Sequence, residues 1–503
     1  MTQYDNLGTT PNGSGAEVRV GFNNNFKAIV TDNEGSSAPS PTYPFMVWRN
    51  DTTKILYMRN AGDTGWEVVK NYGATTDPTI STDSSLGYVF GSEYRNVTKK
   101  KIFRCFDATT GAADWREISV PPYFVSVKDQ AFGAKGDGST DDTTAIQAAL
   151  DAVASTGGHV YFPQGVYKVS AKLTIANKAI SISGAGQIVT ELRWTAAAAT
   201  SGIEVTSDNA RHCVTIKDIS ITTLATGGNA IKLDFSGQIA SGVVTDRLQK
   251  RFVLKDLTIQ GASTNVSNNP FADGWQYGIL LVAAVNGSIR DCTIHGKAQT
   301  PQRGYSGTYG IAIRGNPTTG NTDNGYPANI LIDNVNEFFW EYGVAAHNAQ
   351  EVTVTGGNIL ACDIGVYLYS QYSRTTAKVI DIHLNCYSFS IYIDGMNEVI
   401  VSNCELYGIQ TSTAWNALFA STASTSIVVT DNIVCSFDAG ANGFVINADK
   451  CVVSNNIFDQ QGTYIITCIW LTSNAADCKG INNVYNGTFT NTVLNQGTGN
   501  SVT

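Results

Sequence analysis

Charge is scarce in this sequence. Asp, Glu, Lys and Arg make up 15% of 503 residues, the net charge is −9, and no stretch gathers Lys or Arg into a stripe. Without a broad positive field the chain is not expected to bind nucleic acid, whereas a neutral or acidic partner stays open. No apolar run approaches the length of a membrane span, so membrane insertion is not expected either. Residues Met1 to Gly15 have neither the basic start nor the apolar stretch of a secretory signal, which implies synthesis in the cytoplasm without export by that route. The ten cysteines show no C-x-x-C spacing and no clustering with His. Most stand among Val and Ile, as in Asp291-Cys292-Thr293-Ile294, and read as buried reduced thiols rather than a disulfide framework. No compact carboxylate cluster argues for Ca²⁺, and neither a metal nor a cofactor is expected.

Helix formers are few as well. The chain holds 48 Gly together with many Ser, Thr and Asn, and 43% of it is hydrophobic, which reads as strands and turns. Its length exceeds one ordinary compact domain, leaving several domains or one solenoid whose core grows along an axis.

Residues 1–120 contain a two-fold repeat. Trp48-Arg49-Asn50-Asp51 leads through Ile55-Leu56-Tyr57 to Trp66-Glu67-Val68, and Tyr94-Arg95-Asn96-Val97 leads through Ile102-Phe103-Arg104 to Trp115-Arg116-Glu117. Short alternating runs that each close on a Trp predict two small β modules. They resemble head-domain modules at the N-termini of some phage tail proteins, a resemblance that implies attachment to a phage tail or baseplate.

A boundary follows at Pro121-Pro122. Beyond it come Ala131-Phe132-Gly133-Ala134-Lys135-Gly136-Asp137-Gly138-Ser139-Thr140-Asp141-Asp142-Thr143-Thr144-Ala145-Ile146-Gln147-Ala148-Ala149-Leu150 and Gly157-Gly158-His159-Val160-Tyr161-Phe162-Pro163-Gln164-Gly165-Val166-Tyr167. A glycine-rich turn with polar capping residues opens a short amphipathic helix whose Ile146 and Leu150 share a face. This segment resembles the opening of the pectate-lyase-like, single-stranded right-handed β-helix superfamily, which includes phage tailspikes, capsule depolymerases, pectinases and epimerases. The resemblance implies an all-β right-handed parallel β-helix, structural roles for Asp137, Asp141 and Asp142, and a homotrimer. It places entry and cap at 121–200, the β-helix at 201–485, and a short C-terminal extension at 486–503.

From about 200 a degenerate repeat aligns on Asp218, Asp256, Asp291, Asn334, Gly356, Asp381, Asn403, Asp431, Asn455 and Asn482. An aliphatic residue stands two places before each except Asn482, where Gly480 does, and an apolar residue usually returns three places after. From Asn334 onward the spacing is 22 to 28 residues, the length of one coil. Larger early spacings predict loops at 236–250, 262–276 and 297–309. A second element reads small, apolar, variable, apolar, as in Gly310-Ile311-Ala312-Ile313, Gly343-Val344-Ala345-Ala346 and Gly365-Val366-Tyr367-Leu368.

Parallel stacking turns equivalent outward positions into ladders about 4.8 Å per coil. Two places after the small residue come Ala312, Ala345, Tyr367, Tyr392 and Phe419; four places after come Arg314, His347, Tyr369 and Asp394. Rings beside polar groups suit a sugar chain, since rings stack on C–H faces while charged groups bind hydroxyls and carboxylates. The same aromatic row would also serve at a subunit interface. Glu341 and Asp363 stand two places before the small residue in neighbouring coils, where mutual repulsion would separate their acidities into proton donor and nucleophile or base. Asp394, Glu405 and His383 are alternatives. Asn321-Thr322-Asp323 begins like a polygalacturonase motif but Asn324 follows, and it reads as a loop.

Together with these residues, the resemblance implies a phage tailspike depolymerase cutting bacterial capsular or O-antigen polysaccharide, by hydrolysis as the first expectation. A β-eliminating lyase is the second, with His347 or Tyr369 as base and Arg314 neutralising a uronate. A non-catalytic receptor-binding spike is the third. By resemblance the protein would reside in the virion tail.

Overall fold

A computed structural model describes residues 33–118, 124–153, 157–195, 201–207, 212–236, 252–262, 273–299, 303–315, 327–371, 375–409, 415–436, 440–460 and 465–502. Of the described residues, 61% are strand and 4% helix. It divides into two compact units, Met1–Pro121 and Pro122–Thr503.

In the first unit the repeat becomes two three-stranded antiparallel meanders. Val47–Asn50, Ile55–Arg59 and Trp66–Ala74 form one, and Tyr88–Asn96, Lys101–Asp107 and Asp114–Glu117 the other. Trp66–Ala74 and Tyr88–Asn96 pair in parallel and join them. Each meander packs around rings: Trp48 stacks on Tyr57 at 4.9 Å, and Trp115 meets Tyr88 edge-on at 5.2 Å.

The second unit is a right-handed parallel β-helix, and its register is the one the repeat predicts. Val125, Val160, Ile182, Ile216, Leu254, Ile289, Ile332, Val354, Val379, Val401, Val429, Val453 and Gly480 lie in one continuous inward row. Each aliphatic member contributes roughly 1.5–3 kcal/mol by burial. All ten repeat anchors have φ between 50° and 63°. They are the corner of the coil, a left-handed turn that Asn, Asp and Gly adopt at least cost. Gly480 breaks the aliphatic rule because Val502 fills its place: a Cβ there would meet Val502 Cγ1 at 2.8 Å.

The helix Thr143–Ala152 buries Ile146, Ala149 and Leu150 against the first coils. Asp142, fully buried, accepts the N–H groups of Lys135 and Gly136 at 2.7 and 2.9 Å and pins the glycine-rich turn. Asp137 and Asp141 cap their own turns through Ser139, Thr140 and Thr143. None of the ten thiols is in a disulfide, and all but the exposed Cys213 are buried.

Two expected boundaries do not mark changes of structure. Strands Phe124–Ser126 and His159–Phe162 already belong to the inward row, so coiling starts well before residue 200. At the other end Asn491–Asn495 pairs with Ile465–Leu471, and Ser501–Val502 with Lys479–Ile481, so 486–503 completes a coil instead of extending beyond it. Parallel pairing with the neighbouring coil satisfies backbone groups in both places, although the polar sequence hides the pattern. Of the expected loops, 297–309 is partly a hairpin, with Ala298–Gln299 antiparallel to the start of Arg303–Arg314. Most of 236–250, much of 262–276, the whole of Asn321–Asn324, and Met1 to Gly15 lie outside the described residues.

Candidate functional site

The second sequence element forms the strand on which the site is built. Its glycines sit where an inward side chain of the neighbouring turn presses on the backbone: a Cβ on Gly278 would meet Ile294 Cγ2 at 2.6 Å, and one on Gly365 would meet Cys386 Sγ at 2.9 Å. The residues that follow stay in strict register from coil to coil, with Ala312 and Ala345 buried. Ala312, Ala345, Tyr367, Tyr392 and Phe419 form one row, and Arg314, His347, Tyr369 and Asp394 a second. Tyr392 stacks on Phe419 at 5.0 Å, and Tyr367 lies 5.2 Å from Tyr392.

A third row stands one place before each glycine, and sequence reasoning passed over it. Tyr277, Tyr309 and Tyr342 stack nearly parallel with centroids 4.9 and 4.8 Å apart. Tyr342 continues to Tyr367 at 5.6 Å, which joins the rows into one half-buried aromatic face. The signal was in the sequence as Tyr277-Gly278, Tyr309-Gly310 and Tyr342-Gly343.

Polar groups converge at the middle of this face. The Arg314 guanidinium lies 5.1 Å from the ring centres of both Tyr277 and Tyr309 and donates to the Tyr277 hydroxyl at 3.0 Å. Among the described residues no carboxylate pairs with it. His347, one coil on, packs edge-on against Tyr367 and Tyr369 at 5.4 and 5.5 Å, and its Nε2 has no hydrogen-bond partner. Burial, with the Arg314 cation adding to it, pushes this imidazole down to about 4, so it is neutral at ordinary pH.

Glu341 and Asp363 both act on Tyr342. Burial raises the pKa of its hydroxyl, and the negative charges of Glu341 and, more weakly, Asp363 add to that. Glu341 is held in place: Oε2 accepts the Gly307 N–H, with Ser306 Oγ at 3.5 Å. Burial raises the pKa of the Tyr367 and Tyr392 hydroxyls, and the Asp394 charge adds to it. His383 and Glu405 form their own pair at 2.9 Å in the row two places after the corner, beside Tyr407, and so belong to a different ladder from the aromatic face.

Residues 124–387, more than half of the chain, match the family described as rhamnogalacturonase A/epimerase, pectate lyase-like. The chain belongs to this family. Mannuronan C5-epimerase AlgE2 of Azotobacter vinelandii is 31% identical over 250 residues, which are 48% of this chain and 21% of that protein. The chain thus spans about a fifth of the length of that relative. Among solved structures, the A-module of Azotobacter vinelandii mannuronan C-5 epimerase AlgE4 superposes with a TM-score of 0.54 at 15% identity, covering 75% of this chain and 99% of the module. Tailspike protein 3 of bacteriophage CBA120 superposes with a TM-score of 0.48 at 12% identity, covering 96% of this chain and 89% of the spike, a likeness that carries no argument about origin.

Within this pectate lyase-like solenoid the family segment includes Tyr277, Tyr309, Arg314, Glu341, Tyr342, His347, Asp363, Tyr367 and Tyr369. It ends just before Phe389 and Tyr392. Among the described residues no three His, Cys, Asp or Glu side chains converge to hold an ion.

Proposed function

We propose that the chain acts on an acidic polysaccharide by removing the proton from the sugar carbon that bears a uronate carboxylate. The observation that carries this reading is the juxtaposition of Arg314, a cation with no carboxylate partner among the described residues, with a neutral imidazole, His347, in the next coil of an aromatic face. Arg314 would bind the carboxylate and stabilise the charge that develops on it as the proton leaves. The neutral His347 imidazole would accept that proton, and the Tyr342 hydroxyl would supply one. Protonation of the glycosidic oxygen breaks the chain and leaves an unsaturated sugar. Protonation of the same carbon from its other face inverts it. Relatives named as mannuronan C5-epimerases support the second outcome, and the family description places epimerases beside pectate lyases.

Hydrolysis by Glu341 and Asp363 is the second reading, favoured by both carboxylates lying beside Tyr342. Incubation with polyuronate in deuterated water, read by NMR, separates the three. Deuterium at the inverted carbon identifies an epimerase and unsaturated ends identify a lyase. New saturated reducing ends without deuterium overturn the proposal in favour of hydrolysis.

The biological setting is a proposal as well: bacterial surface polysaccharide as target, and a homotrimeric spike held to a phage tail through residues 1–120. It rests on the resemblance of the N-terminal modules and of the solenoid opening. Sedimentation of the full chain as a monomer would remove the spike.

A further inference from the structure

Beside the aromatic face, on the side from which its strands enter, lies a hollow of about 180 Å³ that none of the proposed chemistry uses. Trp275 and Lys297 line it together with the turn Tyr305 to Thr308. The Lys297 ammonium lies 5.1 Å from the centre of the Tyr305 ring and 3.3 Å from Thr226 Oγ1. In a chain of net charge −9, this cation has no carboxylate partner among the described residues. Tyr305 is 41% exposed beside the cation. Trp275 is buried, yet its indole N–H has no acceptor.

The walls are fixed by two close approaches. A Cβ on Gly274 would meet Lys297 Cβ at 2.8 Å, so glycine lets the Lys297 segment close over the hollow. Gly304, next to Tyr305, lies against the Trp340 carbonyl with no room for any side chain. The turn that bears Tyr305 also reaches the reaction centre: Gly307 donates to Glu341, and the Glu341 N–H donates to Thr308 Oγ1 at 3.2 Å.

A partly exposed aromatic ring, an ammonium without a carboxylate partner among the described residues, and hydroxyls on Thr226, Ser306 and Thr308 together match one ligand class. We propose that the hollow is a subsite for a carboxylate-bearing sugar ring of the same glycan, with the ring on Tyr305 and the carboxylate on Lys297. This deepens the reading above and rests on it for the choice of an acidic glycan. The carboxylate–ammonium contact is a charge-assisted bond, and the ring contact is stacking.

The test uses the full chain, hexameric mannuronate, and the same hexamer with its carboxyls reduced to alcohols. Lys297→Met should weaken binding of the acidic hexamer about tenfold and leave the reduced hexamer unaffected, while Lys297→Arg restores the acidic hexamer. Tyr305→Ala should weaken both hexamers. Turnover at saturating substrate should stay at the wild-type rate in all three, with the loss confined to KM, and their thermal midpoints should match the wild type. Wild-type affinity of Lys297→Met for the acidic hexamer, or equal losses for both hexamers, overturns the subsite. If the wild type turns polyuronate over while Lys297→Met keeps its KM, the subsite falls and the proposed reaction stands. If Lys297-dependent binding appears without turnover, the subsite stands and the reaction falls. Failure of the wild type to bind either hexamer overturns both.

Discussion

The carboxyl of Glu337 rests against Gly343 so closely that a methyl group on that glycine would lie 3.0 Å from Oε2. Glu337 occupies the inward row between Ile294 in the coil before and Ile359 in the coil after. It is wholly buried, and neither carboxyl oxygen has a partner. Burial pushes this acid up to about 8. The nearby titratable groups are the Cys362 and Cys386 thiols, themselves raised by burial.

That position predicts an inverted pH dependence of stability. Between the ordinary glutamate value of about 4.3 and about 8 the folded chain keeps a proton that the unfolded chain has released. Stability contributed by the neutral carboxyl is therefore present at low pH, falls as pH rises through that window, and is level above it. Glu337→Gln should remove this component. Thermal midpoints of wild type and variant, compared near the two ends of the window, should diverge toward alkaline pH, with the wild type the lower. Parallel curves would show that Glu337 ionises normally.

Tyr342 and the two carboxylates beside it divide the competing chemistries. If proton abstraction is correct, Tyr342→Phe should lower kcat by about a hundredfold or more while the glycan is still bound. Glu341→Gln and Asp363→Asn should then lower it far less. Abolition of turnover by both carboxylate variants, with Tyr342→Phe nearly as active as wild type, would return the site to hydrolysis.

His347 sets the acid limit. Its folded-state value of about 4 lies below the usual 6.5, so the neutral base persists well into mildly acidic solution. The acidic limb of kcat/KM should fall near that value. Replacing Arg314 by Met removes the neighbouring cation and should move the limb upward, alongside a rise in KM for the acidic substrate. A limb near 6.5 in the wild type would mean that the imidazole is solvated and is not the group described.

The solenoid was legible because its signals repeat: Ile216, Leu254, Ile289 and their successors recur at fixed distance from a left-handed corner, and each confirms the next. The Arg314 and Tyr367 ladders followed from the same register. Tyr277, Tyr309 and Tyr342 escaped because the residue before a glycine was not read as a row of its own. Glu337 escaped for a different reason. It stands three places after Asn334, where the repeat asks for an aliphatic residue, and one exception in a degenerate pattern looks like noise until burial shows it to be a carboxyl in the core. Depth, not spacing, also decides that His347 is neutral.

Near the C-terminal end another polar row is built to be satisfied. Asn432 and Asn456 are fully buried one place after their corners. Asn432 donates through N and Nδ2 to Asn456 Oδ1 at 3.0 and 2.9 Å, and Asn456 donates in the same way to Asn483 Oδ1, both at 3.0 Å. The Cys404 N–H donates to Asn432 Oδ1 at 2.9 Å, and Asn456 Nδ2 also reaches the Val429 carbonyl at 3.0 Å. Asn456→Ala strands two buried donors of Asn432 and the Val429 carbonyl at once, at a cost of about 1–3 kcal/mol for each group left unmet. Asn483→Ala, in a half-exposed position where water replaces the lost partner, should cost about 1 kcal/mol. Denaturant midpoints should therefore rank wild type above Asn483→Ala, and Asn483→Ala well above Asn456→Ala. Equal losses in the two variants would mean that the row contributes bond by bond and that burial of its middle rung adds nothing.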